Sequence, residues 1–256
     1  MPVTLQRFPI TTLRPRTVNV FFGKRGSGKS FCMQDFIYHM RHHFQEVLVM
    51  SATEDGNHAW GSHVPSTFIH TSFDADVLSR TLARQRRRHT EWQANGSRSR
   101  DYPHLLIVAE DLMAEDKKCV NNTDMRYIFM NGRHIGITFC MTVQYLMDLP
   151  RALRTNIDVA VVLQDRSVGN IKRLHESWVG TLCSEREFTS IVQRCTRDKG
   201  AVVIHVNSES DRLDRVVFWY HAQPHPKFHV GSSGFWAFHY RYGEGAQAPG
   251  RSRRRR

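Results

Sequence analysis

Short apolar runs alternate with amphipathic stretches along the first two thirds of the chain. Apolar runs bounded by turn residues predict buried strands, and stretches with helical spacing predict helices. This alternation is typical of an α/β fold, in which helices flank a mainly parallel sheet. The strands predicted in this part of the chain are residues 18–22, 46–51, 67–71, 104–109, 135–143 and 157–163.

Capping residues and terminators place the ends of several predicted helices. Asp74 is a suitable N-cap for a helix that carries several arginines. A helix over residues 123–129 is expected to stop near Gly132, since glycine is a frequent helix terminator. Residues 201–206 and 216–220 predict a hairpin or two closing strands near the C-terminus. Beyond them, the sequence shows no clear period.

A Gly-rich loop directly follows the first predicted strand. Its sequence fits the pattern G-x-x-x-x-G-K-[ST], in which glycines let backbone N–H groups approach a phosphate. Lys29 would approach the β- and γ-phosphates, and the Ser30 hydroxyl would bind Mg²⁺. A Gly-rich turn without a ligand is the alternative, which the strand before and the helix after disfavour. The residues predicted to bind ATP are Gly23, Lys24, Arg25, Gly26, Ser27, Gly28, Lys29 and Ser30.

Two acidic residues, Glu110 and Asp111, follow the fourth predicted strand. Ligands of an open parallel sheet bind beyond the carboxyl ends of the strands, so these carboxylates are expected to face the phosphates. Glu110 would hold Mg²⁺ through its water shell, and Asp111 would orient or deprotonate the attacking water. An acidic pair that caps the next helix is the alternative.

Gln144 lies at the tip of the next predicted strand. If that strand lies between the strand that precedes the Gly-rich loop and the strand that ends at Glu110, Gln144 would sense the γ-phosphate or the attacking water. An ordinary polar strand end is the alternative. Arg133, Arg151 and Arg154 are candidates to reach the γ-phosphate of a neighbouring subunit, although each alone is more typical of a structural or DNA-contacting residue. The predicted catalytic set is Lys29, Glu110, Asp111, Gln144, Arg151 and Arg154.

Size and charge extend this interpretation. The chain has 256 residues and a formal net charge of +12. This length fits one large domain, predicted over residues 1–242 with a core of about 17–165. The excess of positive charge favours a polyanionic partner such as nucleic acid. Residues 243–256 are rich in arginine and poor in apolar side chains, which predicts a disordered tail that contacts a polyanion.

The cysteines and the apolar runs bear on where the chain works. The five cysteines form no Cys-x-x-Cys pair, so they indicate neither a disulfide framework nor a zinc site. Reduced thiols are typical of an intracellular protein. The apolar runs are shorter than the ~20 residues that a membrane helix requires, so no transmembrane segment is expected.

Several stretches together resemble the genome-packaging ATPases of nucleocytoplasmic large DNA viruses, of the poxvirus, iridovirus and phycodnavirus type. These ATPases are a branch of the HerA/FtsK superfamily of P-loop ATPases. The resemblance covers residues 18–165 and is weaker beyond them. It is carried by the P-loop at residues 22–30, Ser-Ala-Thr-Glu at 51–54, Asn-Gly-Arg-His at 131–134, Gln-Tyr at 144–145 and Leu-Arg-Thr-Asn-Ile-Asp at 153–158.

The resemblance implies a RecA-like core, a homo-oligomeric ring of five or six subunits, and ATP hydrolysis that drives double-stranded DNA into a preformed capsid. It also implies ATP and Mg²⁺ as cofactors and capsid or membrane-vertex proteins as partners. The expected location is the viral assembly site in the host cytoplasm or nucleus, and the virion. One departure concerns the acidic motif, which in this family has Asp first, whereas Glu110 precedes Asp111 here. The division of roles between these two carboxylates therefore stays open.

Other functions share part of these features. A P-loop nucleoside or nucleotide kinase has the loop and the acidic strand but transfers phosphate to a small molecule. A thymidine-type kinase often carries a Cys-rich zinc element that this sequence lacks, and the Asn-Lys-x-Asp motif of GTPases is also missing. A DNA-dependent ATPase outside packaging remains an alternative. A non-catalytic DNA-binding protein would leave Lys29 and Ser30 without a role.

Overall fold

The computed structural model describes residues 4–98, 102–115 and 119–243. The predicted arginine-rich tail, residues 243–256, lies outside these residues except for its first position. Within the described residues, eight strands form one sheet. The strands are β1 Val18–Phe22, β2 Glu46–Ser51, β3 Ile69–His70, β4 Leu105–Glu110, β5 Ile137–Val143, β6 Val159–Val162, β7 Gly200–His205 and β8 Val217–His221.

Ten α-helices, of which several are single turns, connect the strands of the described chain. They are α1 Lys29–Met40, α2 Glu54–Asn57, α3 Ala75–Ala94, α4 Leu112–Glu115, α5 Thr123–Asn131, α6 Arg151–Arg154, α7 Val168–Trp178, α8 Glu185–Cys195, α9 Leu213–Val216 and α10 Ser233–Tyr242.

The strand order of the sheet is β3-β2-β4-β5-β1-β6-β7-β8. Strands β1 to β6 pair in parallel, whereas β7 pairs antiparallel with both β6 and β8. The α/β fold with a mainly parallel sheet and a C-terminal strand extension is therefore confirmed. Strand β5 lies between β1 and β4, which is the condition on which the interpretation of Gln144 depends.

Both faces of the sheet are covered, so its central strands are buried on either side. One face packs against apolar residues of α3, α5, α7 and α8. The other face packs against α1, the N-terminal segment around Phe8, and Phe235 of α10. Strands buried on both faces need continuous apolar runs, which explains why the parallel strands read as uninterrupted hydrophobic stretches.

The helix ends agree with the capping residues in most places. Asp74 caps α3 by accepting a hydrogen bond from the Val77 N–H. The α-helix before Gly132 ends at Asn131, but Gly132 has a helical φ of −54° and the chain continues as a 3₁₀ turn. Gly136, with φ of 85°, makes the left-handed turn that ends it. The α-helix therefore ends next to Gly132 as predicted, and Gly136 ends the 3₁₀ turn that follows it.

One strand is shorter than predicted, and the residues beyond β8 include a helix that the sequence did not indicate. The strand expected at residues 67–71 contains only two strand residues, because residues 66–68 form a 3₁₀ turn. Beyond β8, where the sequence shows no clear period, residues 222–232 are irregular and lead into α10. Ser232 caps this helix by accepting from the Phe235 N–H.

The two outer strands of the sheet are protected in different ways. β3, at one edge, has only two residues. β8, at the other edge, is bordered by the N-terminal segment, since the Phe8 N–H donates to the Trp219 carbonyl and the Trp219 N–H donates to the Gln6 carbonyl. The described sheet therefore leaves little unpaired backbone at its edges.

The cysteines and the helix lengths allow two further statements. Cys32, Cys119, Cys140, Cys183 and Cys195, all within the described residues, form no disulfides. Within the described ranges, the structure contains no helix with the length and apolar character needed to cross a bilayer.

Candidate active site

The Gly-rich loop connects the carboxyl end of β1 to the first turn of α1. Gly26 and Gly28 have φ of 77° and 96°, in the left-handed region that glycine adopts without a Cβ penalty. Gly23 makes a close approach instead, since a Cβ there would lie 2.6 Å from Ser27 Oγ. The loop thus leads into the N-terminus of α1, where the first N–H groups lack intrahelical acceptors and favour an anion.

Lys29 lies between the loop and the acidic end of β4. Its side chain is 5% exposed, and its ammonium donates hydrogen bonds to the carbonyls of Gly23 at 2.9 Å and Lys24 at 3.2 Å. The Nζ atom is 3.9 Å from Asp111 Oδ1. Burial lowers the pKa of Lys29 from its ordinary value, while the negative charges of Asp111 and Glu110 act in the opposite direction. The amine is therefore held where it can neutralise a phosphate charge.

Asp111 follows β4 in an uncommon backbone conformation. Its φ of 50° is positive, which costs energy for a residue with a Cβ. Thr142 of β5 supports this turn, because its hydroxyl accepts from the Asp111 N–H at 2.9 Å and donates to Oδ1 at 3.3 Å. The neighbouring strand thus fixes the Asp111 carboxylate, which faces Lys29.

Glu110, the last residue of β4, is fully buried. Its Oε2 atom accepts a hydrogen bond from the Trp60 indole N–H at 2.6 Å and one from the Ser51 hydroxyl at 3.1 Å. Two donors on one oxygen fix the direction of this carboxylate. The Oε1 atom has no hydrogen-bond partner among the described residues.

A cleft at the carboxyl ends of β4 and β5 contains the predicted sensor. Gln144 follows β5 and lines this cleft together with Asp111, Thr142, Tyr145 and Asp148. The structure therefore brings Lys29, Glu110, Asp111 and Gln144 together at the carboxyl ends of the central strands, next to the Gly-rich loop.

The predicted arginines lie elsewhere in the same chain. Arg151 and Arg154 line a cleft that also contains Val206 and Asn207. These two residues follow the antiparallel strand β7 and therefore lie at the amino ends of the parallel strands. Arg154 contacts the Met147 sulfur at 3.5 Å. Within one chain these arginines do not join the Gly-rich loop, so only a contact between subunits would bring them to it.

Arg133 is also far from the loop. It lies in the 3₁₀ turn that precedes β5, at the amino ends of the parallel strands. Within one chain Arg133 therefore does not meet the Gly-rich loop, so its predicted contact with a γ-phosphate would also need a neighbouring subunit.

Two buried oxygens give a test of whether this site fits a nucleotide and a metal. Ser27 Oγ and Glu110 Oε1 have no partner among the described residues. Buried polar atoms are rarely left without a partner, so such atoms are expected beside a ligand. Glu110 offers the hard oxygen that Mg²⁺ prefers, and Ser30 occupies the first turn of α1 beside the loop. The residues present therefore fit ATP with Mg²⁺.

Sequence reasoning missed the residues that support the two carboxylates. Ser51 and Trp60 bind Glu110, and Glu54 in turn accepts hydrogen bonds from the backbone N–H groups of Trp60 and Gly61. The available signal was the polar stretch at residues 51–54 directly after a predicted strand. Trp60 could not be found in this way, because only the pairing of β2 with β4 brings its segment to Glu110.

The strand order, the Gly-rich loop and the acidic strand end together define a P-loop NTPase fold. The family model that matches the chain is described as "Poxvirus A32 protein" and covers residues 6–218. The chain belongs to the poxvirus A32 protein family.

Relatives of the chain occur in other large DNA viruses. A protein of Acanthamoeba polyphaga mimivirus is 29% identical over 224 residues, which cover 87% of this chain and 78% of the relative. A protein of Invertebrate iridescent virus 3 is 28% identical over 225 residues, which cover 88% of this chain and 82% of the relative.

Solved structures share the fold. The genome packaging NTPase B204 of Sulfolobus turreted icosahedral virus 2 aligns with a TM-score of 0.55 at 12% identity, over 84% of this chain and all of B204. The conjugation coupling protein TcpA of pCW3 aligns with a TM-score of 0.54 at 12% identity, over 82% of this chain and 61% of TcpA.

Proposed function

We propose that the chain is an ATP-hydrolysing motor that moves double-stranded viral DNA into a preformed capsid as a homo-oligomeric ring. The observation that carries the proposal is the group formed by Lys29, Asp111 and Gln144 beside the Gly-rich loop. A buried amine, an oriented carboxylate and a polar sensor at one edge are the parts that hydrolysis of a γ-phosphate requires. Membership of the A32 family and the fold shared with a packaging NTPase support this reading.

Each side chain has a defined task in this proposal. Lys29 neutralises the charge of the terminal phosphates. Asp111 accepts a proton from the attacking water, with its carboxylate oriented by Thr142. Glu110 and Ser30 would hold Mg²⁺, which would supply positive charge beside the phosphates. Gln144 contacts the γ-phosphate or the water.

The charge distribution supports DNA as the substrate that is moved. The net charge of +12 attracts a polyanion. On α3, Arg84 and Arg88 pair with Glu46, and Arg86 covers the Tyr127 ring, so those charges also serve the fold. Arg80 and Arg87 are exposed on the same helix, where Arg87 pairs with Glu91 at 3.7 Å, and both can contact phosphates. The arginines after residue 250 add to this charge.

The proposed partners follow from the packaging role. These are capsid or membrane-vertex proteins and further copies of the chain, in a ring of five or six. The proposed location is the viral assembly site in the host cytoplasm or nucleus, with association with the virion.

The experiment that tests the function measures ATP hydrolysis by the purified chain with and without long duplex DNA. We expect hydrolysis that duplex DNA stimulates, together with a ring-sized assembly in solution. A panel of nucleosides and nucleotides tests the kinase alternative in the same reaction. Phosphate transfer to a panel member, or no hydrolysis under either condition, would contradict the motor.

A mixing experiment tests whether the arginines act between subunits. The double variant Arg151→Ala/Arg154→Ala is expected to lower ATP turnover by about 10³-fold, the smaller effect known for arginine fingers. Mixing it with Lys29→Ala subunits should restore part of the turnover, because some interfaces then pair an intact loop with intact arginines. If the mixture is as inactive as each variant while its assembly size is unchanged, the arginines do not act in trans.

A further inference from the structure

A second polar cluster, apart from the nucleotide site, is formed by a buried aspartate of α1 and two partly exposed histidines. Asp35 is 1% exposed at the middle of this helix. The His225 Nε2 atom contacts its Oδ1 atom, and His39 Nε2 lies 3.4 Å from the same oxygen. One ligand atom from each of the three residues lies within 4.8 Å of the others.

We propose that Asp35, His39 and His225 bind a zinc ion that ties α1 to the C-terminal segment of residues 221–232. Two imidazole nitrogens directed at one carboxylate oxygen form a three-ligand set of the kind that zinc binds, with water in the fourth position. His39 follows Asp35 by one helical turn, so the two share a face of α1. His225 comes from the chain that passes over this face.

The other oxygen of Asp35 is held as metal-binding carboxylates usually are. Oδ2 accepts hydrogen bonds from the Tyr220 hydroxyl and from the Gln223 N–H at 3.3 Å. These two donors fix the carboxylate and leave Oδ1 directed at the imidazoles. Hydrogen bonds to the outer atoms of a ligand orient it and tune its affinity for the metal.

Stacking also fixes the imidazole of His225. Its ring lies on Tyr38, with centroids 3.6 Å apart and an angle of 11° between the planes. The Arg41 guanidinium lies 3.8 Å from the centroid of the same tyrosine. His39 meets the His225 ring edge-on at 5.4 Å. The ligands are thus placed before an ion arrives, which lowers the entropic cost of binding.

The donor types select zinc over magnesium. Imidazole nitrogens suit zinc and other transition metals, whereas Mg²⁺ prefers oxygen ligands in an octahedral arrangement. The side chains of His39 and His225 are 26% and 15% exposed, so an ion and one water can enter from solvent. Asp35 and His225 are 190 positions apart in sequence, so no local sequence pattern indicated this site.

Zinc at this position would join helix α1 to the C-terminal segment of residues 221–232. Helix α1 begins at the P-loop, and Asp35 lies about 9 Å further along its axis at 1.5 Å per residue. The segment that carries His225 leads to α10 and the arginine-rich tail. The ion would therefore hold the C-terminal segment on the helix that binds phosphate.

Metal binding by the full-length chain tests the proposal without using ATP hydrolysis. After removal of metal with a chelator, the protein is titrated with Zn²⁺, and with Co²⁺ as a spectroscopic probe. We expect one tight site per chain and the strong visible absorption of tetrahedral Co²⁺. His225→Ala and Asp35→Asn should lose this signal, whereas His42→Ala, which changes an exposed histidine near the end of α1, should retain it.

A conservative variant separates ligand geometry from folding. Tyr220→Phe keeps the ring but removes the hydroxyl on Asp35, and it should weaken zinc affinity about tenfold or more. Wild-type affinity in Tyr220→Phe, with loss of binding in His225→Ala, would overturn the role given to the tyrosine. Absence of tight zinc binding by the wild type, equal affinity for Mg²⁺, or unchanged binding by His225→Ala would overturn the site and leave a carboxylate–imidazole hydrogen bond.

Discussion

Asp111→Asn is expected to lower DNA-stimulated ATP turnover by about 10²–10⁴-fold, the usual contribution of a positioned general base. The amide keeps the size of the side chain and can still accept from the Thr142 hydroxyl, but it cannot take a proton from water. Binding of a fluorescent ATP analogue should change little, since Lys29 and the loop are intact. Steady-state turnover and analogue titration measure the two effects separately.

Glu110→Gln provides the comparison that assigns the two carboxylates. Glu110 is buried beneath the site and held by Trp60 and Ser51, so its amide variant should mainly raise the Mg²⁺ concentration needed for turnover. Asp214→Asn, in an exposed pair with Arg212, serves as the control. If Glu110→Gln abolishes turnover at saturating Mg²⁺ while Asp111→Asn stays active, the assignment is reversed.

Lys29→Ala is expected to lower turnover by about 10²–10³-fold or more, as removal of one preorganised charge-stabilising donor does. The variant also loses the positive charge that faces the phosphates, so affinity for the ATP analogue should fall with turnover. Lys29 is nearly buried and donates to two loop carbonyls, so a melting curve must accompany the assay.

Lys172→Ala is the matched control for Lys29→Ala. This lysine pairs with Glu176 on the exposed face of α7, and its removal should leave ATP binding and turnover unchanged. Wild-type turnover in Lys29→Ala would contradict the assignment of residues 23–30 as the phosphate-binding loop. Loss of activity together with collapse of the melting transition would require the Lys29→Met variant, which retains the chain length without the charge.

Local sequence signals predicted most of the central sheet. The runs at residues 18–22 and 46–51 match β1 and β2, since strands buried on both faces require unbroken apolar sequence. The cap at Asp74 was also readable, because a capping side chain acts within three residues. The Gly-rich loop was predicted because its function needs fixed residues at fixed spacing.

Features that depend on distant parts of the chain could not be predicted. The environment of Glu110 is made by Trp60, 50 positions earlier, and its indole reaches the carboxylate only after β2 and β4 pair. Helix α10 has aromatic residues around much of its surface, so its sequence lacks the clean polar face that marks an amphipathic helix. Ser232 was its one local signal. The cluster at Asp35 likewise depends on where residue 225 lies after folding.

The protected edges of the sheet also limit how copies of this chain can associate. One outer strand has two residues and the other is bordered by the N-terminal segment, so neither offers a long row of free backbone groups. Extension of the sheet from one copy into the next is therefore disfavoured. In the proposed ring, neighbouring copies would meet through side chains of helices and loops, and such contacts could loosen and re-form during each proposed cycle of ATP hydrolysis without breaking a shared sheet.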